Sequence, residues 1–161
     1  MMETDPIPLF AADVMLGRLA RWLRATGLNV FYNNQASDDQ LIQLFLNERR
    51  WIITRDRGLV RRRVLQRVIF IEAETLEEQL REFFEKTQFI FDRNLLRPFS
   101  RCVDCNNALL PLQPEQAEPR VPPYIFQHHD TFKLCPSCGK VFWAGTHRDR
   151  IQAFLKRAIP F

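Results

Sequence analysis

Short apolar runs alternate with helix-periodic stretches along the first part of the chain. Pro8-Leu9-Phe10-Ala11-Ala12 is a compact run that ends on Asp13. Leu16, Leu19, Ala20 and Leu23 recur at the spacing of one helix face, with Arg18, Arg21 and Arg24 on other faces. Gly27 stops this helix, because glycine readily takes the left-handed conformation that closes a helix end. Asn29-Val30-Phe31-Tyr32 reads as a second strand. Ser37-Asp38-Asp39 can cap a helix whose apolar face is Leu41, Ile42, Leu44, Phe45 and Leu46. Trp51-Ile52-Ile53-Thr54 is a third strand, closed by Arg55-Asp56. A short basic helix from Leu59 to Leu65 leads to a fourth strand, Val68-Ile69-Phe70-Ile71. Thr75-Leu76-Glu77-Glu78 has capping-box spacing and opens a helix through Phe83-Phe84.

Strand and helix in alternation predict an α/β fold with parallel strands and right-handed crossovers. The strand runs are continuous, as strands covered on both faces require. The pattern changes near residue 98, and most of the 10 prolines lie from Pro98 onward. The expected division is residues 1–97 as one unit and residues 98–161 as a second. The tail places Ile151, Phe154, Leu155 and Ile159 opposite Arg148, Arg150, Lys156 and Arg157. That is an amphipathic helix whose apolar side docks on one of the two units.

The second part holds all four cysteines, in the knuckles Cys102-Val103-Asp104-Cys105 and Cys135-Pro136-Ser137-Cys138-Gly139. Four thiolates at this spacing suit tetrahedral zinc with no open position, which makes the site structural. A redox dithiol explains one pair but not two matched ones. The interval from Asn106 to Leu134 suits a ribbon with an extended hairpin. Phe132, Phe142 and Trp143 are expected in the ribbon's core. His128, His129 and His147 are left for surface or core roles, since the thiolates fill the metal shell.

Composition, at 46% hydrophobic and 26% charged residues, argues against disorder and a fibrous repeat. The N-terminal Met1-Met2-Glu3-Thr4-Asp5-Pro6 is acidic and lacks an apolar region, and no apolar run approaches a membrane span. The expectation is a cytoplasmic chain without signal peptide or membrane segment. The formal charge is +4, from 23 Lys and Arg against 19 Asp and Glu. Only Lys86, Lys133, Lys140 and Lys156 are lysines, so arginine dominates. Guanidinium forks suit phosphate and nucleic acid, although a GC-rich genome yields the same bias.

From Arg49 to Arg67 the bases are Arg49, Arg50, Arg55, Arg57, Arg61, Arg62, Arg63 and Arg67, and the single acid is Asp56. A solvated helix face is the usual fate of such a run, but its adjacency to Asp56 favours holding a phosphate backbone. Asp13 ends the first strand, Asp56 follows the third, and Asp38 and Asp39 open the helix after the second. A parallel sheet puts all strand C-termini on one edge, so these acids converge there. Clustered carboxylates repel unless a cation neutralises them, and Mg²⁺ or Mn²⁺ takes oxygen ligands. The plainer reading makes Asp38, Asp39 or Asp56 an N-cap; Asp13, at the end of an apolar strand, is harder to explain that way.

These residues also carry a resemblance. Phe10-Ala11-Ala12-Asp13-Val14-Met15-Leu16-Gly17-Arg18-Leu19-Ala20-Arg21-Trp22-Leu23-Arg24 resembles the opening motif of the Mut-seven C-terminal RNase family, a branch of the PIN-like nucleases with an attached zinc ribbon. Ser37-Asp38-Asp39-Gln40-Leu41, Thr54-Arg55-Asp56-Arg57-Gly58-Leu59 and Glu78-Gln79-Leu80 resemble later motifs. The ribbon is similar through Arg101–Cys105 and Cys135–His147. The resemblance implies a PIN-like parallel sheet with flanking helices, followed by a small zinc ribbon and a C-terminal helix. It further implies a metal-dependent ribonuclease, with acidic roles for Asp13, Asp38 or Asp39, and Asp56. A further carboxylate from a later strand end would fall to Glu72 or Glu74, neither in a recognisable motif.

The leading expectation is RNA hydrolysis with Mg²⁺ or Mn²⁺ at Asp13, Asp38 or Asp39, and Asp56, and with zinc on the four cysteines. Arg18, Arg21, Arg55 and Arg57 are the expected phosphate clamps. One rival is a non-catalytic RNA-binding adaptor with the same fold. Another is a zinc module that binds a protein partner.

Overall fold

A computed structural model describes residues 6–159; the acidic segment 1–5 and Pro160 and Phe161 lie outside the described residues. The first part follows the expected alternation. Strand β1 is Phe10–Ala12, helix α1 Gly17–Ala25, β2 Val30–Phe31, α2 Asp38–Glu48, β3 Trp51–Thr54, α3 Arg57–Val60, β4 Val68–Phe70 and α4 Leu76–Thr87. The four strands form one parallel sheet in the order β2-β1-β3-β4. Every strand C-terminus therefore lies on one edge.

Burial on both faces explains the continuous apolar runs. Phe10, Ala12, Ile53 and Ile69 join Leu19, Leu23, Leu80, Phe83 and Phe84 in the larger core on one side. Ala11 and Ile52 pack with Leu41, Ile42, Phe45 and Leu59 on the other. Capping follows local chemistry. Ser37 and Gln40 form a reciprocal capping box on α2, and Thr75 accepts from the Glu78 amide to start α4. The basic helix α3 is shorter than the expected Leu59 to Leu65, since the chain leaves it at Arg61 to return to β4.

Two glycines are demanded by geometry. Gly27 has φ +100°, and a Cβ there would run into the Arg97 carbonyl. At Gly17 a Cβ would lie 2.6 Å from the Tyr32 hydroxyl, which donates to the Val14 carbonyl and fixes the turn after Asp13.

The second part is a three-stranded antiparallel sheet in the order β5-β6-β7, formed by β5 Leu110–Leu112, β6 Phe132–Leu134 and β7 Val141–Trp143. The interval between the knuckles is not a plain hairpin. It holds α5 Pro114–Ala117 and α6 Pro123–His128, because prolines at the first helical turn favour helix starts there. Phe132 is buried with Leu112, Ala117 and Val121, and Trp143 packs against them. The final helix, α7 Thr146–Ala158, packs on the first part: Leu155, Ala158 and Ile159 belong to the core of Phe83 and Phe84. Phe154 lies against Trp22 with ring centroids 4.4 Å apart and the rings tilted by 47°.

Candidate functional site

The turn at the end of β1 aims Asp13 at the sheet's C-terminal edge. Asp13 is 4% exposed. One carboxylate oxygen accepts from the Val14 amide at 2.7 Å, and the other accepts from the Thr54 hydroxyl at 2.8 Å. The same hydroxyl accepts from the Asp56 amide at 2.9 Å. Thr54, fully buried at the end of β3, thus ties two acid-bearing strand ends together. The sequence holds no local signal for this role of Thr54, because its chemistry depends on a neighbour 41 positions away.

Asp56 caps α3 by accepting from the Gly58 amide, as the plainer reading of that residue foresaw. Asp38 and Asp39 are not caps; Ser37 fills that position and leaves both carboxylates free of the helix end. The Asp38 pKa is raised from its ordinary value. Partial desolvation contributes most, followed by the negative charges of Asp13 and Asp56; Arg62 opposes the shift and Asp39 adds to it. Asp39 points outward and pairs with Arg62 at 3.3 Å. Asp13, Asp38 and Asp56 therefore share one electrostatic field.

Among the described residues, only Cys102, Cys105, Cys135 and Cys138 bring three or more potential ligand atoms within 4.8 Å of one another. The three aspartates face a common edge but do not converge that tightly. The cysteines suit zinc well. The Cys102 and Cys138 sulfurs are 3.9 Å apart, against the roughly 3.8 Å expected across a tetrahedral zinc–sulfur site. The Cys105 and Cys138 amides point at the Cys102 and Cys135 sulfurs at 3.4 and 3.5 Å. Burial pushes the Cys102 thiol up to about 12. At Cys135 burial is outweighed by the Cys138 and Ser137 amides, and the thiol falls to about 7. A bound cation holds such thiols deprotonated.

The arginines divide. Arg49, Arg50 and Arg67 lie at the N-terminal ends of β3 and β4, opposite the acids, so the basic run is not one strip. Arg50 is buried, donating to the Phe10 carbonyl at 2.7 Å and pairing with Glu48. Arg49 lies over Phe45 and Arg67 over Trp51. Arg55, Arg57 and Arg62 remain near the acids: Arg55 donates to the Glu72 carbonyl, and Arg57 lies over Phe70.

Arg18 is exposed on α1. Arg21 pairs with Asp104 of the first knuckle, and so does Lys140. Arg24, expected on a helix face other than the apolar one, is 5% exposed. Burial draws its pKa down, and Cys102 and Cys105 push it back up. Glu72 and Glu74 are exposed on the loop after β4, where the Glu82 carboxylate accepts from the Glu72 and Ala73 amides.

No helix among the described residues is long and apolar enough to cross a membrane. Searches of the curated proteins and of the solved structures return no match to the chain. A family model does match, spanning residues 8–155 and both the acidic edge and the cysteine knuckles; by that match the chain belongs to the family of the Mut7-C RNAse domain.

Proposed function

We propose that the protein is a metal-dependent ribonuclease whose working edge is formed by Asp13, Asp38 and Asp56. The observation that carries this reading is the charge conflict at the strand ends. The Asp38 pKa is raised from its ordinary value by desolvation and by the charges of Asp13 and Asp56, with Arg62 acting against them. Such a group is relieved by a hard divalent cation with oxygen ligands, and Mg²⁺ retains waters that can bridge carboxylates too far apart for direct sharing. Asp13, Asp38 and Asp56 would hold Mg²⁺ or Mn²⁺, with Asp39 at the rim. A divalent ion bound there supplies water of lowered pKa and neutralises developing charge on a phosphodiester.

The chain's own groups have distinct tasks in this reading. Thr54 orients Asp13 and, through the Asp56 amide, the start of the Asp56 turn. Arg55, Arg57 and Arg62 draw the RNA backbone to the edge, with Arg18 further along α1. Arg21 contributes only when it leaves Asp104. Residues 1–97 are the nuclease unit and residues 98–161 the ribbon, held by zinc, with its returning helix. The expected setting is cytoplasmic.

The test is cleavage of a mixed RNA by purified protein with Mn²⁺, Mg²⁺ or EDTA. Divalent-dependent cleavage that Asp13→Asn abolishes is the expected result. Equal cleavage by parent and Asp13→Asn rules the proposal out. The looser spacing of the aspartates compared with the cysteines favours one second reading, a non-catalytic RNA-binding adaptor. That reading requires salt-sensitive RNA binding indifferent both to divalent ions and to Asp13→Asn.

A further inference from the structure

Strand β2 is an outer strand of the parallel sheet, and an outer strand presents unpaired backbone groups. At Val30 both groups are met by side chains rather than by another strand. The Val30 amide donates to Asn106 Oδ1 at 2.9 Å, and the Val30 carbonyl accepts from Arg24 Nε at 2.9 Å. Arg24 is itself fixed by the first cysteine knuckle: its Nη1 donates to the carbonyls of Val103 and Asp104 at 2.9 and 3.2 Å.

Asn106 immediately follows that knuckle. Its backbone is left-handed, with φ 67°, and its amide donates to the Cys102 carbonyl at 2.8 Å. Its side-chain nitrogen donates to Asn29 Oδ1, which also accepts from the buried Arg50. Arg101 adds two more ties, to the carbonyls of Asn106 and Gly27. The segment carrying Cys102 and Cys105 is therefore bonded to the sheet edge at several points.

We propose that the first cysteine knuckle is the edge cap of the parallel sheet, so that metal loading of the cysteine cluster and closure of the β2 edge are one event. The coupling route is short. Zinc on Cys102 and Cys105 fixes the turn between them, the turn fixes the left-handed Asn106, and Asn106 meets the Val30 amide. The zinc–tetrathiolate centre is anionic, and Arg24, Arg21 and Lys140 surround the knuckle with compensating charge. This inference is independent of the ribonuclease reading, because it concerns the contacts of Val30 with Arg24 and Asn106 rather than Asp13, Asp38 and Asp56, and stands whether or not RNA is cleaved.

Amide hydrogen exchange of the full chain tests it, read at Val30 and, as an internal reference, at Ile53 in the central strand. The variants are Asn106→Gly, which tolerates the left-handed backbone but lacks the acceptor, and Asn106→Asp, which keeps an acceptor. In the zinc-loaded protein, Asn106→Gly is expected to speed Val30 exchange about fivefold, the factor one ordinary net hydrogen bond represents, with Ile53 unchanged. Asn106→Asp keeps the acceptor for the Val30 amide but gives up the donor to Asn29, so its Val30 rate is expected between those of Asn106→Gly and the parent. Stripping zinc from the parent speeds Val30 by a similar factor but adds little to Asn106→Gly, since both act on one contact. Fully additive effects of chelation and substitution overturn the proposal. So does an unchanged Val30 rate on chelation, or an equal rise at Ile53, which would make the metal a support of the whole chain rather than of this edge.

Discussion

Replacing Thr54 with valine keeps the β-branched shape that suits the end of β3 and deletes a single hydroxyl. That hydroxyl has two partners, Asp13 Oδ2 at 2.8 Å and the Asp56 amide at 2.9 Å, and Thr54 has no exposed surface. Water cannot enter to replace the hydroxyl without displacing its neighbours. An unmet buried polar group costs about 1–3 kcal/mol, and the Asp56 turn can shift enough to rescue part of one partner. The expected loss is about 2–3 kcal/mol. For a chain of this size that lowers the midpoint of thermal unfolding by roughly 5–10 °C. Thermal melts followed by circular dichroism, without divalent ions, measure it. Thr54→Ser is the control. It keeps the oxygen and gives up one methyl, a loss of about 1 kcal/mol. Valine must therefore be the worse substitution. If Thr54→Val melts within about 2 °C of the parent, or if serine proves the more damaging change, the hydroxyl does not tie Asp13 to the Asp56 turn.

Asp38 gives a pH-dependent expectation. Its pKa is raised in the folded state, so its ionisation opposes folding above the unfolded-state value, and that cost disappears as the pH falls through the raised value. Asp38→Asn should therefore raise the melting midpoint of metal-free protein by about 1–2 °C at neutral pH and lose that advantage in acid; a gain that persists at low pH contradicts this. Divalent activation of cleavage should weaken over the same acidic range, as measured by Mn²⁺ titration at several pH values. Leu155→Ala removes a side chain of α7 from the core shared with Phe83 and should cost about 2–4 kcal/mol in urea unfolding. Gly27→Ala meets both a left-handed backbone and the Arg97 carbonyl and should cost more than about 1 kcal/mol by the same measurement.

What the bare sequence revealed depended on how far apart the interacting residues lie. Trp51–Thr54 could be read as a strand because a continuous apolar run is a local property, and Cys102 to Cys138 declared a metal cluster through local spacing. Asp13, Asp38 and Asp56 could be placed on one edge because parallel topology alone puts strand ends together. The fate of Arg24 was invisible. Helical periodicity assigned it to a face other than the apolar one, but the carbonyls that bury it come from Val103 and Asp104, nearly half the chain away. The basic run misled for a related reason. Charge counted along the sequence ignores that β3 carries the chain from one sheet edge to the other, which separates Arg49 and Arg50 from Arg55 and Arg57. Thr54 stands at the end of an apolar run, but a hydroxyl's partner cannot be named from composition.

The returning helix α7 bears on how the protein is made. Ribosomal synthesis runs from the N-terminus, so all four strands of the parallel sheet are complete once Phe70 has been added. Leu155, Ala158 and Ile159, which close the core behind Phe83 and Phe84, come much later. At bacterial-to-eukaryotic elongation rates the interval is on the order of ten seconds, whereas apolar collapse takes microseconds. A nascent chain therefore passes through an interval in which all four strands have been made while apolar surface that Leu155, Ala158 and Ile159 cover is still open.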